Sequence, residues 1–194
     1  MFYLFSIILS MVCSVLSGST DASIAVGTLL LYVYPLALLL CALLVYTQFD
    51  RPLGLTAACM AFAAPSCADM FAYFGGTFFG KHKLCEHISP KKTVEGSIFG
   101  LLGGIVFGLI LVPLQKYWGS TVHWSVLLLL GTFCGLFGQF GDLFASMIKR
   151  WAGVKDFSSV FPGHGGMMDR VDSILLCTPV VLCTFTILQL FGIY

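Results

Sequence analysis

The residues best suited to chemistry lie in a polar segment, residues 146–172, between two long apolar segments. It contains the turn-forming sequence PGHGG at residues 162–166 and many basic and acidic side chains. Glycine amides and basic side chains bind phosphate oxygens, and carboxylates bind hard divalent cations. A simple connector would need only turn residues and a few solvating charges. The segment therefore predicts a site for phosphates and a metal ion, and its charged or titratable candidates are Lys149, Arg150, Lys155, Asp156, His164, Asp169, Arg170 and Asp172.

A second polar segment, residues 80–96, carries four of the ten lysine and arginine residues: Lys81, Lys83, Lys91 and Lys92. Clustered lysines in a short loop can be an orientation signal alone, or they can bind phosphate groups. Two apolar segments separate this loop from residues 146–172, so both are expected to emerge on the same side of a membrane.

Two carboxylates, Asp69 and Asp142, lie inside apolar segments. A carboxylate inside a membrane segment is costly and is by default a candidate functional residue. Gln139, Asp142 and Ser146 are spaced three and four apart, which places them on one helix face. Asp69 could instead reach the interface or cap a helix broken at Pro65. We predict that the carboxylates at 69, 142, 169 and 172 converge where the polar segments meet the membrane.

The composition requires a membrane-embedded scaffold for these residues. The chain is 58% hydrophobic and 10% charged, with a mean hydropathy of +0.96, whereas a soluble domain carries about 25% charged residues. The eight cysteines include no CxxC pair and no zinc-finger spacing, so we interpret the seven in apolar segments as small buried apolar residues. Cys85 lies in a polar loop, where a lone thiol forms no metal site. The sequence predicts an all-α, polytopic integral membrane protein and gives no indication of a nucleic-acid partner.

Six apolar segments are predicted to span the membrane: residues 2–16, 24–46, 53–79, 98–114, 123–147 and 173–194. A span needs about 20 residues, so the first is short. Pro35 should kink the second, and the third should break at Gly75-Gly76. Glycines at 100, 104 and 108 predict a close approach of two helices. Because Arg51 and Lys116 are the only basic residues left for the other side, both polar segments are placed in the cytoplasm and both termini outside.

Four blocks of sequence carry a resemblance to a known family. The first reads Ser146-x-x-Lys149-Arg150, then Lys155-Asp156, then Pro162-x-His164-Gly165-Gly166-x-x-Asp169-Arg170-x-Asp172. The others are DMFAYFGGTFFGKHK at 69–83, ISPKKTVEG at 88–96 and GQFGDLFAS at 138–146. Together they resemble the motifs of the CDP-diacylglycerol synthase family, also called phosphatidate cytidylyltransferases, in order across residues 69–172.

That resemblance implies the reaction CTP + phosphatidate → CDP-diacylglycerol + pyrophosphate, with Mg²⁺ required and K⁺ as a candidate second ion. It implies CTP, phosphatidate and the lipid bilayer as partners, a homodimer as a candidate assembly, and a bacterial inner membrane location with a cytoplasmic active site. By carry-over, the catalytic candidates are Asp142, Asp169, Lys149, Arg150, Lys155, His164 and Arg170. The candidates for binding phosphate or nucleotide are Ser89, Lys91, Lys92, Gly165 and Gly166. The metal ligands would be Asp142 and Asp169 first, with Asp69 and Asp172 as further candidates.

The expected organisation is a single membrane domain, residues 1–194, with N-terminal helices at 1–68, the motif-bearing core at 69–172 and a last helix at 173–194. Members of the family are generally longer before the first motif. We therefore expect that upstream helices are absent from this sequence or that the chain is a compact variant.

Several alternatives remain open at this stage. The chain could be a CTP-dependent kinase or cytidylyltransferase acting on an isoprenoid lipid, although an alcohol acceptor would need a general base. It could be an ion-coupled transporter with Asp69 and Asp142 on the ion path, but no internal repeat of broken helices is visible. At the residue level, His164 could only shape its turn, Asp156 could cap a turn, and Asp172 could only N-cap the last helix.

Overall fold

The computed structural model describes Val12, Gly27 and residues 32–157, 166 and 168–192. The predicted span at 2–16, apart from Val12, lies outside the described residues, as do His164 and Gly165. The chain separates into two compact units, Met1–Leu40 and Cys41–Tyr194. In the first unit, the described residues form a π-helix at Tyr32–Ala37, which contains Pro35, and the start of helix α1, Leu38–Thr47.

The second unit is a bundle of long helices with one small β-hairpin. The helices are α2 (Arg51–Phe79), α3 (Val94–Leu114), α4 (Trp124–Trp151) and α5 (Met168–Phe191), and the hairpin strands are β1 (Lys83–Cys85) and β2 (Ser89–Thr93). A short 3-10 helix, Gln115–Trp118, follows α3. Helix α2 packs on α3, α4 and α5, and α4 packs on both α3 and α5.

In the part of the chain that the structure describes, four helices are long and apolar enough to cross a membrane: Arg51–Phe79, Val94–Trp118, Trp124–Trp151 and Val171–Phe191. This confirms the prediction of a largely α-helical membrane protein. Tyr34–Thr47 is a shorter apolar helix, and the count of six spans stays a prediction.

Helix α2 corrects the prediction of a broken third span. It runs without interruption through Pro65 and through Gly75-Gly76. Pro65 is buried, and a Cβ placed on Gly138 of α4 would lie 3.2 Å from the Pro65 Cβ. Packing against a neighbouring helix holds the chain helical where proline removes one backbone hydrogen bond.

The described residues of both polar segments form regular elements where loops were predicted. Within residues 80–96, β1 and β2 pair antiparallel, with Lys83 opposite Thr93. The Thr93 side chain then caps α3 by accepting a hydrogen bond of 3.1 Å from the Gly96 amide. In the other segment, α4 extends to Trp151 and α5 begins at Met168. Asp172 is therefore inside α5, and its interpretation as an N-cap is wrong.

The predicted glycine contact is confirmed between α3 and α4. Gly104 and Gly131 face each other so closely that a methyl group on either would overlap the other's carbonyl. One turn away, a Cβ on Gly108 would lie 2.6 Å from the Leu127 carbonyl oxygen. Small residues let two helix backbones approach closely where lipid supplies no hydrophobic drive for association.

The apolar core and the polar residues occupy different ends of this unit. Core residues come from the N-terminal halves of α2 and α4 and from the C-terminal halves of α3 and α5, including Leu53, Met60, Leu111, Leu127, Val181 and Phe185. Phe49 packs on Phe185 with ring centroids 5.9 Å apart. The opposite ends of the same four helices carry most of their charged residues, and Arg51 at the start of α2 is an exception.

Candidate phosphate and metal site

A cavity of about 630 Å³ lies at the polar end of the second unit. The C-terminal end of α2, the hairpin, the N-terminal turn of α3, the C-terminal half of α4 and the start of α5 all contribute to its wall. Its charged lining residues are Asp69, Lys83, Lys91, Lys92, Asp142, Asp169 and Asp172. Both predicted polar segments therefore contribute to one cavity.

The four predicted carboxylates reach this cavity from three different helices. Asp69 is hydrogen-bonded to the Ser173 side chain and interacts electrostatically with Asp142. Asp172 is 7% exposed and lies close enough to Asp142 and Asp69 to interact electrostatically with both. Gly141 permits this arrangement, because a Cβ there would lie 2.5 Å from the Asp172 carbonyl oxygen.

Lys92 connects the hairpin to α4 through an ion pair. Its Nζ lies 2.6 Å from Asp142 Oδ2, and it also donates a hydrogen bond of 3.3 Å to the Gln139 carbonyl oxygen. The two side chains are 22% and 34% exposed. The pair is therefore partly open to the cavity, where a charged ligand can compete with either partner.

Lys149 and Asp169 form a second, more buried pair at the other polar segment. Lys149 Nζ donates to Asp169 Oδ1 at 2.7 Å, and each side chain is 11% exposed. Asp169 Oδ2 accepts from the backbone amides of Phe157 at 3.1 Å and Gly166 at 2.9 Å. Burial alone would raise the pKa of the Asp169 carboxyl, but Lys149 and the two amides hold this pKa below its usual value. Asp169 is therefore ionised at neutral pH.

Gln139 fixes α3 against α4 at the wall of the cavity. Its Nε2 donates to the Ser97 carbonyl oxygen at 3.1 Å and to the Gly135 carbonyl oxygen at 3.0 Å, and its Oε1 accepts from the Ser97 hydroxyl. The side chain is buried. It lies one turn before Asp142, so it sets the position of the helix that carries this carboxylate.

The hairpin is tied to α3 by Glu95. His82 Nδ1 lies 2.7 Å from Glu95 Oε1, and the amides of Lys81 and His82 also donate to this carboxylate. These contacts fold the hairpin back over the start of α3, which brings Lys83 and Lys91 to the rim of the cavity.

Other predicted site residues have different positions. Ser89 begins β2 and does not line the cavity, while Arg150 and Lys155 are exposed and lie outside its lining. Gly166 contributes its amide to Asp169. Arg170 is in the first turn of α5, and only its backbone is described.

Sequence reasoning did not single out several polar residues of the lining, including Tyr73, Thr77, Thr93 and Ser97, as site candidates. Ser97 had a usable signal: it directly follows the block at 88–96, and it faces Gln139, which had been placed on the same helix face as Asp142. For Tyr73 and Thr77, no charge or spacing distinguished them from lipid-facing residues of the same helix.

The donor set fits a magnesium ion that is held partly by its substrate. Among the described residues, no group of three or more His, Cys, Asp or Glu side chains is arranged as a preformed metal site. Carboxylates do converge on one cavity, and Mg²⁺ usually takes one or two of them together with substrate phosphates and water. The assignment of Asp142 and Asp169 as the metal ligands stays a prediction, and a closed protein cage would need a tighter cluster.

These features define a class of protein: a helical membrane protein with a cavity lined by carboxylates and lysines at one end of the bundle. Comparison with known sequences identifies the family. The model of the cytidylyltransferase family matches residues 1–188, and the chain belongs to this family.

Curated relatives carry the name phosphatidate cytidylyltransferase. One from Synechocystis is 42% identical over 131 residues, which is 67% of this chain and 43% of that relative. The Arabidopsis thaliana protein named phosphatidate cytidylyltransferase 4, chloroplastic, is 45% identical over 151 residues, which is 75% of this chain and 37% of that relative. One from Aquifex aeolicus is 47% identical over 112 residues, which is 58% of this chain and 40% of that relative. The chain spans less than half the length of these relatives.

Proposed function

We propose that this protein transfers the cytidylyl group of CTP to phosphatidate, which yields CDP-diacylglycerol and pyrophosphate. The observation that carries the proposal is the convergence of carboxylates and lysines on one cavity at the end of a membrane bundle. The names of the relatives supply the substrates, and the cavity supplies chemistry that suits two phosphate-bearing reactants.

The reaction joins two anions, and positive charge in the cavity lining would offset their mutual repulsion. Lys83, Lys91 and Lys92 line it, and such ammonium groups bind phosphate oxygens through charge-assisted hydrogen bonds. A phosphate oxygen of phosphatidate attacks the α-phosphorus of CTP and forms a new P–O bond. The bond from that phosphorus to the oxygen of the leaving pyrophosphate breaks. Because the nucleophile is already anionic, no general base is required.

Asp142 and Asp169 are the residues that would hold Mg²⁺, with Asp69 and Asp172 close by. The bound ion would neutralise charge on the triphosphate and on the leaving pyrophosphate. K⁺ as a second ion is part of the proposal. Omitting each ion in turn from an assay tests both.

The position of the cavity suits a lipid substrate. Tyr73 and Thr77 line it, and the neighbouring Phe74 and Phe78 on α2 are exposed on a membrane-spanning helix. A lipid phosphate can therefore enter the cavity while its acyl chains stay in the bilayer. A bacterial inner membrane location is part of the proposal and comes from the resemblance to the family. The basic residues around the cavity support its placement on the cytoplasmic side.

The test uses the purified chain in detergent with dioleoyl phosphatidate, radiolabelled CTP and Mg²⁺, and follows label into the chloroform phase. Label that requires phosphatidate and Mg²⁺ is the expected result. We expect Asp142→Asn and Asp169→Asn to lower this rate at least 100-fold, as is usual for loss of metal ligands in phosphoryl transfer. Asp50→Asn is the matched control, since Asp50 is exposed and lies before α2, away from the cavity.

A folded wild-type chain that transfers no label to phosphatidate would contradict the proposal. Transfer to an isoprenoid alcohol in its place would identify the alternative acceptor. Homodimer formation is a separate part of the proposal, and light scattering of the detergent-solubilised protein measures it.

A further inference from the structure

We infer that the Lys92 ammonium group pairs with the Asp142 carboxylate until a nucleotide phosphate binds that ammonium group instead. Divalent-cation binding at Asp142 is thereby coupled to nucleotide binding. This inference rests on the proposed function, because it concerns the same cavity. It assigns to Lys92 a second task besides contacting phosphate: it competes with the metal for a carboxylate.

The geometry of the pair supports this competition. Lys92 Nζ lies 2.6 Å from Asp142 Oδ2, close enough to use a carboxylate oxygen that a cation would need. The Gln139 carbonyl oxygen, 3.3 Å away, gives the ammonium group a second acceptor on α4. A cation that binds Asp142 through Oδ2 must therefore displace an ammonium group that is held at two points.

The position of Lys92 in the hairpin explains how the pair can open. Lys92 precedes Thr93, the cap of α3, and lines the cavity together with Lys91 and Lys83. Both Lys92 and Asp142 remain partly exposed to it, at 22% and 34%. A triphosphate entering the cavity offers several anionic oxygens against one carboxylate, so the ammonium group gains by moving to the phosphates.

The other lysines do not share this arrangement. Lys149 holds Asp169 in a pair that is only 11% exposed on each side, and two backbone amides also bind that carboxylate. Within the described residues, Lys83 and Lys91 line the cavity but form no ion pair with a carboxylate. Neutral variants at these two positions are charge-matched controls for Lys92, because each removes one positive charge from the same cavity.

The first experiment measures Mn²⁺ binding to the purified chain by electron paramagnetic resonance, with no nucleotide or lipid present. Lys92→Met should bind Mn²⁺ more tightly than wild type by on the order of fivefold, the upper end of the range for a partly exposed ion pair. Lys83→Met and Lys91→Met should tighten binding by less than about twofold, because screening weakens a charge that touches no ligand. Lys92→Arg, which keeps the pair, should resemble wild type.

Adding Asp142→Asn to Lys92→Met should remove the gain, which places the competition at this carboxylate. Lys92→Gln serves as a second neutral variant if Lys92→Met does not fold, as judged by gel filtration. The inference is overturned if the neutral variants at 92 gain no more affinity than those at 83 and 91, or if the gain survives Asp142→Asn.

A second experiment tests the nucleotide half by equilibrium dialysis of labelled CTP in EDTA. Lys92→Met should weaken metal-free CTP binding on the order of tenfold, because a charge-assisted contact to phosphate is lost. Unchanged CTP binding would contradict the transfer of Lys92 to phosphate. Neither experiment measures turnover, so a failure of the proposed reaction in the lipid assay is distinguishable from a failure of this coupling.

Discussion

Individual charged residues at the cavity also carry part of the stability of the fold. The pair between Lys149 and Asp169 joins the end of α4 to the start of α5, and Asp169 also binds the amides of Phe157 and Gly166. Asp169→Asn would leave the Lys149 ammonium buried without its counter-charge. We expect this change to lower the free energy of unfolding by about 3 kcal/mol, measured in detergent with EDTA so that metal binding does not contribute.

A double-mutant cycle separates this pair from other effects at Asp169. Lys149→Met combined with Asp169→Asn should cost less than the sum of the two single changes, with a coupling of about 1 to 3 kcal/mol. Additive costs would mean that the two amide hydrogen bonds, and not the ion pair, hold Asp169.

Gln139 is expected to act as a positioning residue between Ser97 and Asp142. Gln139→Leu leaves the hydroxyl and carbonyl oxygen of Ser97 without their partner, at a cost of about 1 to 3 kcal/mol of unfolding free energy. In the lipid assay, kcat should fall more than KM rises, because Asp142 is misplaced while the phosphate-binding lysines remain. Thr132→Val is the control: Thr132 bonds only the Leu128 carbonyl oxygen of its own helix. Equal effects of the two changes would refute a positioning role.

At the level of the elements, glycine spacing decides how α3 and α4 cross. Gly104→Ala would place a methyl group against the Gly131 carbonyl, and backbone cannot move as readily as a side chain. We expect a loss of about 1 to 3 kcal/mol in unfolding free energy. Leu109→Ala on the exposed face of α3 should change it by less than about 0.5 kcal/mol. If Gly104→Ala leaves the free energy of unfolding unchanged, the two helices can move apart without an energetic cost.

The helices and the hairpin also show which features of the fold could be predicted from the sequence and which could not. Helix existence followed from apolar length, and the GxxxG spacing predicted a close approach of two helices, which the structure shows between α3 and α4. The course of α2 through Pro65 depends on tertiary packing against Gly138, which no local pattern encodes. The hairpin at residues 83–93 was missed because lysine-rich strands have low intrinsic β-propensity, and its stability relies on the Glu95 contacts with His82 and Lys81.

At the scale of the whole molecule, the predictions made from the distribution of charge agreed with the structure better than the predictions of individual helices. The four carboxylates were expected to converge, and they line one cavity with Lys91 and Lys92. Their partners were not predictable: spacing cannot reveal that Lys92 meets Asp142, 50 residues further along the chain, or that Lys149 is committed to Asp169. The residues at 158–165, which include His164 and Gly165, lie outside the described structure, so their roles stay predictions.

The same distribution of charge makes a prediction about membrane orientation. Helix α3 rises about 30 Å over its 21 residues, the thickness of a bilayer core, and separates the hairpin from Lys116 in the following 3-10 helix. Lys81→Cys and Lys116→Cys, each in a Cys85→Ser background, should therefore react with a membrane-impermeant maleimide from opposite sides. In intact cells, Lys116→Cys should be labelled and Lys81→Cys should be protected until the membrane is opened. Labelling of both from one side would contradict the span assigned to α3, and the reverse pattern would place the cavity outside the cytoplasm, where CTP is not supplied.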